Sequence, residues 1–355
     1  MKRFLLSMLT IVAMLSCSSE KTTTKFHGIF TDYERVSVGD TVTLRVNGSR
    51  EDVAMATLDE NKQFTITAEV QNQQYYTLHI QDSPITQVIL DKNEVTFSYD
   101  ATTRRFKVEG SRYNEIWRDF QEKVGPLASA LYSARTEEES VATQRELLNM
   151  IDRSIVENRD NSTSLSMLME YNAYGGDVKR AEELFKLINP KFEYIAMYQN
   201  TKRTMIGKDI IDLTLVDTQG KEVTLSDITK SGKWVLVDFW ATWCKTCKGE
   251  IPYLVEAYEK YAPAGFEIYC VTFDKMSDKK AWKKFVESNN MNWINVWGTG
   301  SNGDWEAGVP YNVNFLPLNF LYSPEGKLVA KGLSGENIDK VLSEYIEIND
   351  ESENL

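Results

Sequence analysis

Histidine and cysteine are scarce in this chain, two and four respectively among 355 residues. That scarcity bears on metal chemistry, because a closed structural zinc site usually takes four thiolate or imidazole ligands. His27 and His79 lie far in sequence from Cys244 and Cys247, and only Cys270 would accompany that pair once the leader over residues 1–16 and the Cys17 that follows it are set aside. No metal is expected. Basic runs interleaved with aromatics are also missing, and a formal charge of -12 would repel a phosphate backbone, so nucleic acid is not an expected partner. The apolar run from Phe4 to Leu15 is too short for a comfortable membrane span.

Against these absences stands Trp234 to Pro252, WVLVDFWATWCKTCKGEIP. Its apolar start reads as a buried strand, Trp234 to Trp240, delivering two cysteines to the start of a helix. Cysteines three apart can close a small ring. Cys244 would lie at the helix N-terminus, where unpaired N–H groups and the dipole favour a thiolate. Cys247, one turn inside, would be better shielded. One thiol that attacks and another that resolves is what thiol–disulfide exchange needs. A Cys-x-x-Cys is also found as half of a zinc knuckle or as an inert structural disulfide. An unpaired buried carboxylate is costly, which makes Asp238 in this strand conspicuous.

The stretch resembles the thioredoxin superfamily. Asp238 stands six residues before Cys244, where thioredoxins carry a buried acid, and Trp243 directly precedes that cysteine. Glu250 and Pro252 are similar to the pattern of the membrane-tethered, extracytoplasmic branch that includes the TlpA and ResA types. Tyr311-x-Val313-x-x-Leu316-Pro317 resembles the segment whose proline is cis and packs against the disulfide. The resemblance implies an α/β thioredoxin-like domain, a central mixed sheet flanked by helices, over about residues 205 to 347.

It also implies roles. Cys244 would attack as the exposed thiolate, Cys247 would resolve, and Asp238, its pKa raised by burial, would relay a proton to or from Cys247. Pro317 would hold the backbone near the pair, the Leu316 carbonyl and N–H would pair with an extended substrate, and Trp240 and Trp243 would supply an apolar rim. Lys245 and Thr246 would tune the nucleophile. Many relatives carry proline where this chain has Thr246, which leaves the direction of redox poise open. No bound cofactor is implied beyond the Cys244–Cys247 pair itself, and the implied partners are disulfide-bearing client proteins and an upstream electron-donor protein. Reduction of clients leads; oxidation or isomerisation uses the same atoms, although isomerases usually need a dimer or a cupped surface and no dimerisation stripe is evident. A non-enzymatic binding lipoprotein is the alternative from another class. A thiol peroxidase lacks its Thr-x-x-x-Cys arrangement.

Lys2 and Arg3 followed by Phe4 to Leu15 read as a signal over residues 1–16. Met14-Leu15-Ser16-Cys17 resembles a bacterial lipoprotein box, with Cys17 lipidated and residues 17–25 a short tether. Ordinary secretion with an incidental cysteine is the plainer alternative. In the lipoprotein reading the chain is held by lipid in the bacterial cell envelope, its domains in the periplasm or at the outer surface.

From residue 26 to 110 the pattern has period two. Val42, Leu44 and Val46 form one such set, and Phe64, Ile66, Ala68 and Val70 another. Tyr76, Leu78 and Ile80 make a third, and Val95, Phe97 and Tyr99 a fourth. This predicts a small antiparallel β domain. It resembles the β domain that precedes thioredoxin domains in lipoproteins of Bacteroidetes-type bacteria. Residues 111–204 switch to helical spacing, as in Tyr113, Ile116, Trp117 and Phe120, and predict three to five helices. Within the last domain Cys270 reads as an unreactive core thiol. Gly298 to Gly308 reads as a loop near the active face, and residues 348–355 as an acidic tail.

Overall fold

In the computed structural model the described residues are 21–348, apart from 32, 50, 51, 92, 93 and 302. The signal, Cys17 and nearly all of the tail lie outside them. Alternating burial builds the first unit. Its strands are β1 (Lys21–Ile29), β2 (Thr41–Val46), β3 (Asp52–Thr57), β4 (Gln63–Gln71), β5 (Tyr75–Ile80), β6 (Ser83–Ile89), β7 (Glu94–Asp100) and β8 (Arg105–Glu109). They form two four-stranded sheets, ordered β4-β1-β7-β8 and β3-β2-β5-β6. Phe26, Phe64 and Phe97 meet between them, with Phe26 to Phe64 at 5.5 Å edge to face.

One expectation needs correction here. The tether does not extend to residue 25: Lys21 onward is strand, paired Lys21 to Gln71 along β4, and Thr24 is buried. Threonine-rich alternation reads as polar linker by composition but supplies one apolar-facing edge once Phe26 follows it in register. The domain is antiparallel as expected except at one pair, β1 and β7, which run parallel. They are far apart in sequence, so no hairpin dictates their direction.

Five helices follow: α1 (Arg112–Ser133), α2 (Glu137–Glu157), α3 (Thr163–Ala173), α4 (Val178–Leu187) and α5 (Ala196–Arg203). Thr136 and Asp177 cap α2 and α4 by accepting from the Glu139 and Arg180 amides. Their apolar stripes share a core with Tyr75 and Ile89 of the β unit. The Tyr75 hydroxyl donates to the Ser162 carbonyl at 2.9 Å, and Tyr194 donates to that of Asn72 at 2.6 Å.

The last unit is a mixed sheet of seven strands, ordered β10-β9-β13-β12-β11-β14-β15. Along the chain these are β9 (Thr214–Asp217), β10 (Glu222–Thr224), helix α6 (Leu225–Lys230), β11 (Trp234–Trp240), α7 (Lys245–Tyr261), β12 (Phe266–Thr272), α8 (Lys279–Ser288), β13 (Ile294–Trp297), β14 (Leu318–Tyr322), β15 (Leu328–Lys331) and α9 (Asn337–Tyr345). Central β11 runs parallel to β12 and antiparallel to β14. Strands covered on both faces read as continuous apolar runs, and every residue of β12 is buried. Val235, Val237 and Phe239 face one core; Leu236 and Trp240 face the other, with α7 and α9. Asp238 shares the parity of the second set.

Candidate active site

The turn from β11 into α7 is held from below by Asp274. This fully buried carboxylate accepts from the Thr242 amide at 3.1 Å, the Thr242 hydroxyl at 2.5 Å and the Thr272 hydroxyl at 2.6 Å. Cys244 then caps α7, its sulfur accepting from the Cys247 amide at 3.1 Å. The two sulfurs are bonded, with Cα atoms 5.3 Å apart. Cys244 therefore stands at the positive end of a 17-residue helix. Lys245 and Thr246 are exposed, whereas Cys244 is only 7% exposed and Cys247 3%. The expectation of an exposed Cys244 is thus corrected for the disulfide form. Position on the helix, more than exposure, distinguishes the two sulfurs.

Within β11, Asp238 is 4% exposed and flanked by Cys270 of β12 and Asn319 of β14. Burial pushes its carboxyl up to about 7, and the negative charge of Glu250 adds to the rise; hydrogen bonds from Cys270 and Asn319 oppose it. The Cys270 thiol points at Asp238 Oδ2 across 3.6 Å. Asn319 also ties the Leu333 backbone, donating to its carbonyl at 2.8 Å and accepting its amide at 2.7 Å. Glu250 accepts the Gly335 amide at 2.6 Å, fastening α7 to the loop before α9. The Leu316–Pro317 peptide is cis and leads directly into β14.

Residues 206–330 match the AhpC/TSA family. The thiol-disulfide oxidoreductase ResA of Bacillus subtilis (strain 168) is 34% identical over 155 residues, 44% of this chain and 82% of that protein. A counterpart in Bacillus cereus is 32% identical over 154 residues, 43% of this chain and 84% of that one. The chain belongs to the ResA-like thiol–disulfide oxidoreductases. A solved thioredoxin domain of a thiol-disulfide oxidoreductase from Bacteroides vulgatus is 32% identical, with a TM-score of 0.37, over 40% of this chain and 98% of that one.

For a thiol–disulfide oxidoreductase the useful observation is which predicted residues meet. Cys244 and Cys247 share one core, against which Leu316 packs partly buried, and the charge of Glu250 on α7 is felt at Asp238 of β11. Trp240 does not join the rim: it is 1% exposed and packs on Phe285 of α8 at 5.6 Å. As the last residue of β11 it keeps the inward parity of Leu236 and Asp238. Trp243, beyond the strand, is 55% exposed.

Three participants were missed or underrated. Trp305, read only as part of a loop, faces Trp243 at 6.2 Å and stacks on Phe273 at 5.0 Å, which in turn stacks on Phe239 at 5.8 Å. A lone tryptophan in a Gly/Asn/Ser-rich stretch was the available signal. Asp274 ends the apolar run of β12 much as Asp238 interrupts β11, a pattern visible in FEIYCVTFD. Cys270 does more than fill the core, since it touches Asp238. Among the described residues no group of three or more His, Cys, Asp or Glu is placed to hold a metal ion.

Proposed function

We propose that Cys244-Lys245-Thr246-Cys247 is the redox centre of an extracytoplasmic, lipid-held reductase of protein disulfides. The observation that carries this reading is a disulfide whose first sulfur caps α7 while the second lies one turn inside, both in the core shared by Cys270, the β12 neighbour of the buried Asp238. In the reduced protein the Cys244 thiolate attacks one sulfur of a client disulfide. That bond breaks, a mixed disulfide forms, and the client's other sulfur leaves as a thiolate that takes a proton from water. Cys247 passes its proton to Asp238 and attacks Cys244. The second client thiolate leaves, and two electrons have moved from the pair to the client. A donor protein restores the dithiol.

Lys245 and Thr246, exposed between the cysteines, tune the attacking sulfur, and Glu250 sets the field around Asp238. The backbone at Leu316, held close by cis Pro317, offers an extended client an edge to pair with. Met14-Leu15-Ser16-Cys17 supports lipid on Cys17 and placement in the cell envelope. Among the described residues no helix is long and apolar enough to cross a membrane.

The test is trapping combined with a potential. Cys247→Ala should accumulate mixed disulfides on Cys244, and Cys244→Ala should abolish exchange; trapping by Cys244→Ala instead would reverse the assigned order. A reduction potential near about -270 mV fits a reductase, and one near about -120 mV would make the protein a disulfide donor. Incorporation of labelled palmitate that persists in Cys17→Ser would remove the lipid anchor.

A further inference from the structure

Asp238 is the proton acceptor in the reading above, and the groups that face it decide when it can act. Helix α7 brings Glu250 and the Cys244–Cys247 pair over this face, β12 brings Cys270, and β14 brings the uncharged amide of Asn319. Glu250 is engaged with the Gly335 amide, and Asn319 with the Leu333 backbone. The parallel register of β11 on β12 places Cys270 directly beside Asp238, with its sulfur 3.6 Å from Oδ2. Cys270 has no solvent exposure, so neither clients nor oxidants reach it.

We propose that Cys270 is a positioning residue for exchange: its thiol donates to Asp238 Oδ2, orients that carboxylate and sets the pH at which it accepts the proton of Cys247. The inference rests on the assignment of Asp238 as that acceptor. No bond to Cys270 is made or broken and its oxidation state does not change. Its suitability follows from its chemistry. Burial and the neighbouring carboxylate push the Cys270 thiol well up, and a hydrogen bond from Trp293 opposes them. A protonated S–H is a weak donor, and a donor to the charged form of a carboxylate lowers the pH at which that carboxylate ionises. A lysine in its place would hold Asp238 ionised; an aliphatic residue would leave burial and Glu250 unopposed from this side. The thiol trims the rise without cancelling it.

The experiment uses the full chain carrying Cys17→Ser. Oxidised, it has Cys270 as its sole thiol, because the other two cysteines are bonded to each other. The infrared S–H stretching band should move to lower frequency and gain intensity as pH rises through the ionisation of Asp238, and should stay fixed in Asp238→Asn. Reduced, the same chain is mixed with 5,5′-dithiobis(2-nitrobenzoate), and release of the second thionitrobenzoate reports attack by Cys247 on the Cys244 adduct. Cys270→Val should raise the pH midpoint of that second phase by about half a unit to one unit, and Cys270→Ser should bring it back. An S–H band indifferent to pH, or a midpoint unmoved in Cys270→Val, overturns the proposal; the infrared arm needs no substitution at Cys270 and stands if the valine variant does not fold. The two readings fail differently. If Asp238→Asn keeps the wild-type pH profile, the acceptor role of Asp238 falls and this inference with it. If Asp238→Asn flattens the profile while Cys270→Val leaves it in place, Asp238 stands and only Cys270 is removed.

Discussion

Two buried acids, one within β11 and one just past the end of β12, meet different environments. Asp274 receives a backbone amide and two hydroxyls. Asp238 receives a thiol and a shared amide, and burial dominates, pushing it up to about 7 from an ordinary value of 3.8. Such a carboxyl is protonated in the folded protein at pH values where the unfolded chain has already ionised it. Its contribution to stability is full below about pH 4 and declines as pH rises toward 7, a loss on the order of 4 kcal/mol from the proton linkage alone. The melting temperature of the oxidised protein should therefore fall between pH 5 and pH 8 more steeply in the wild type than in Asp238→Asn. Equal slopes in the two proteins would place the ionisation of Asp238 outside this range.

At the scale of elements, the site is a helix start set on a strand end and walled by a folded-back loop. The loop reaches the site through aromatic contact: Trp305 lies nearly parallel to Phe273, and Phe273 to Phe239, so the exposed ring of Trp243 is continuous with the core of the sheet. Large, stiff rings contribute contact area at low entropic cost and prefer such offset stacking. Trp305→Ala should raise KM for a peptide disulfide several-fold with little change in kcat, and leave oxidation of dithiothreitol, which needs no side-chain platform, as it was. A matching loss with dithiothreitol would make Trp305 a support of the cysteine loop instead of a client surface.

At the scale of the whole molecule, the helical region is bolted to the thioredoxin-like unit beside the active face. Asn200 donates to the Val309 carbonyl at 2.8 Å, and Asn312 to the Met197 carbonyl and the Thr201 hydroxyl, each at 2.9 Å. The chain between these contacts and Pro317 is thus braced from α5. On the far edge Lys331 donates to the Thr204 carbonyl at 2.8 Å and pairs with Glu182 at 3.4 Å, and Glu182 accepts the Ile206 amide at 2.7 Å. Burial lowers the Lys331 pKa, and Glu182 opposes that. Removing one partner of a largely desolvated pair costs more than the pair contributes. Lys331→Ala should lower stability by about 2–3 kcal/mol and make denaturant unfolding less cooperative, with the helical region and the sheet separating into two steps. A single transition with the wild-type midpoint would show that the two units hold together without this contact.

Much of this was legible in the order of residues. Period-two spacing marked the strands containing Val42, Phe64, Tyr76 and Val95, and helical spacing the stripe ending at Phe120. A cysteine pair after an apolar run marked a helix start, and an acid within that run marked the buried carboxyl. All are local patterns, set by residues within one or two turns or along a single strand. The polar strand before Phe26 escaped because its pairing partner is β4, more than thirty residues away. Trp240 and Trp243 looked equivalent although strand parity turns only the first inward. The neighbours of the site belong to tertiary structure alone. Cys270 beside Asp238, Trp305 under Trp243, Asp274 under Thr242 and α5 against Asn312 each join segments that approach only when separate strands and loops assemble. Spacing along one strand determines which face a side chain takes; what it meets there depends on the register and packing of another segment, and no local period encodes that.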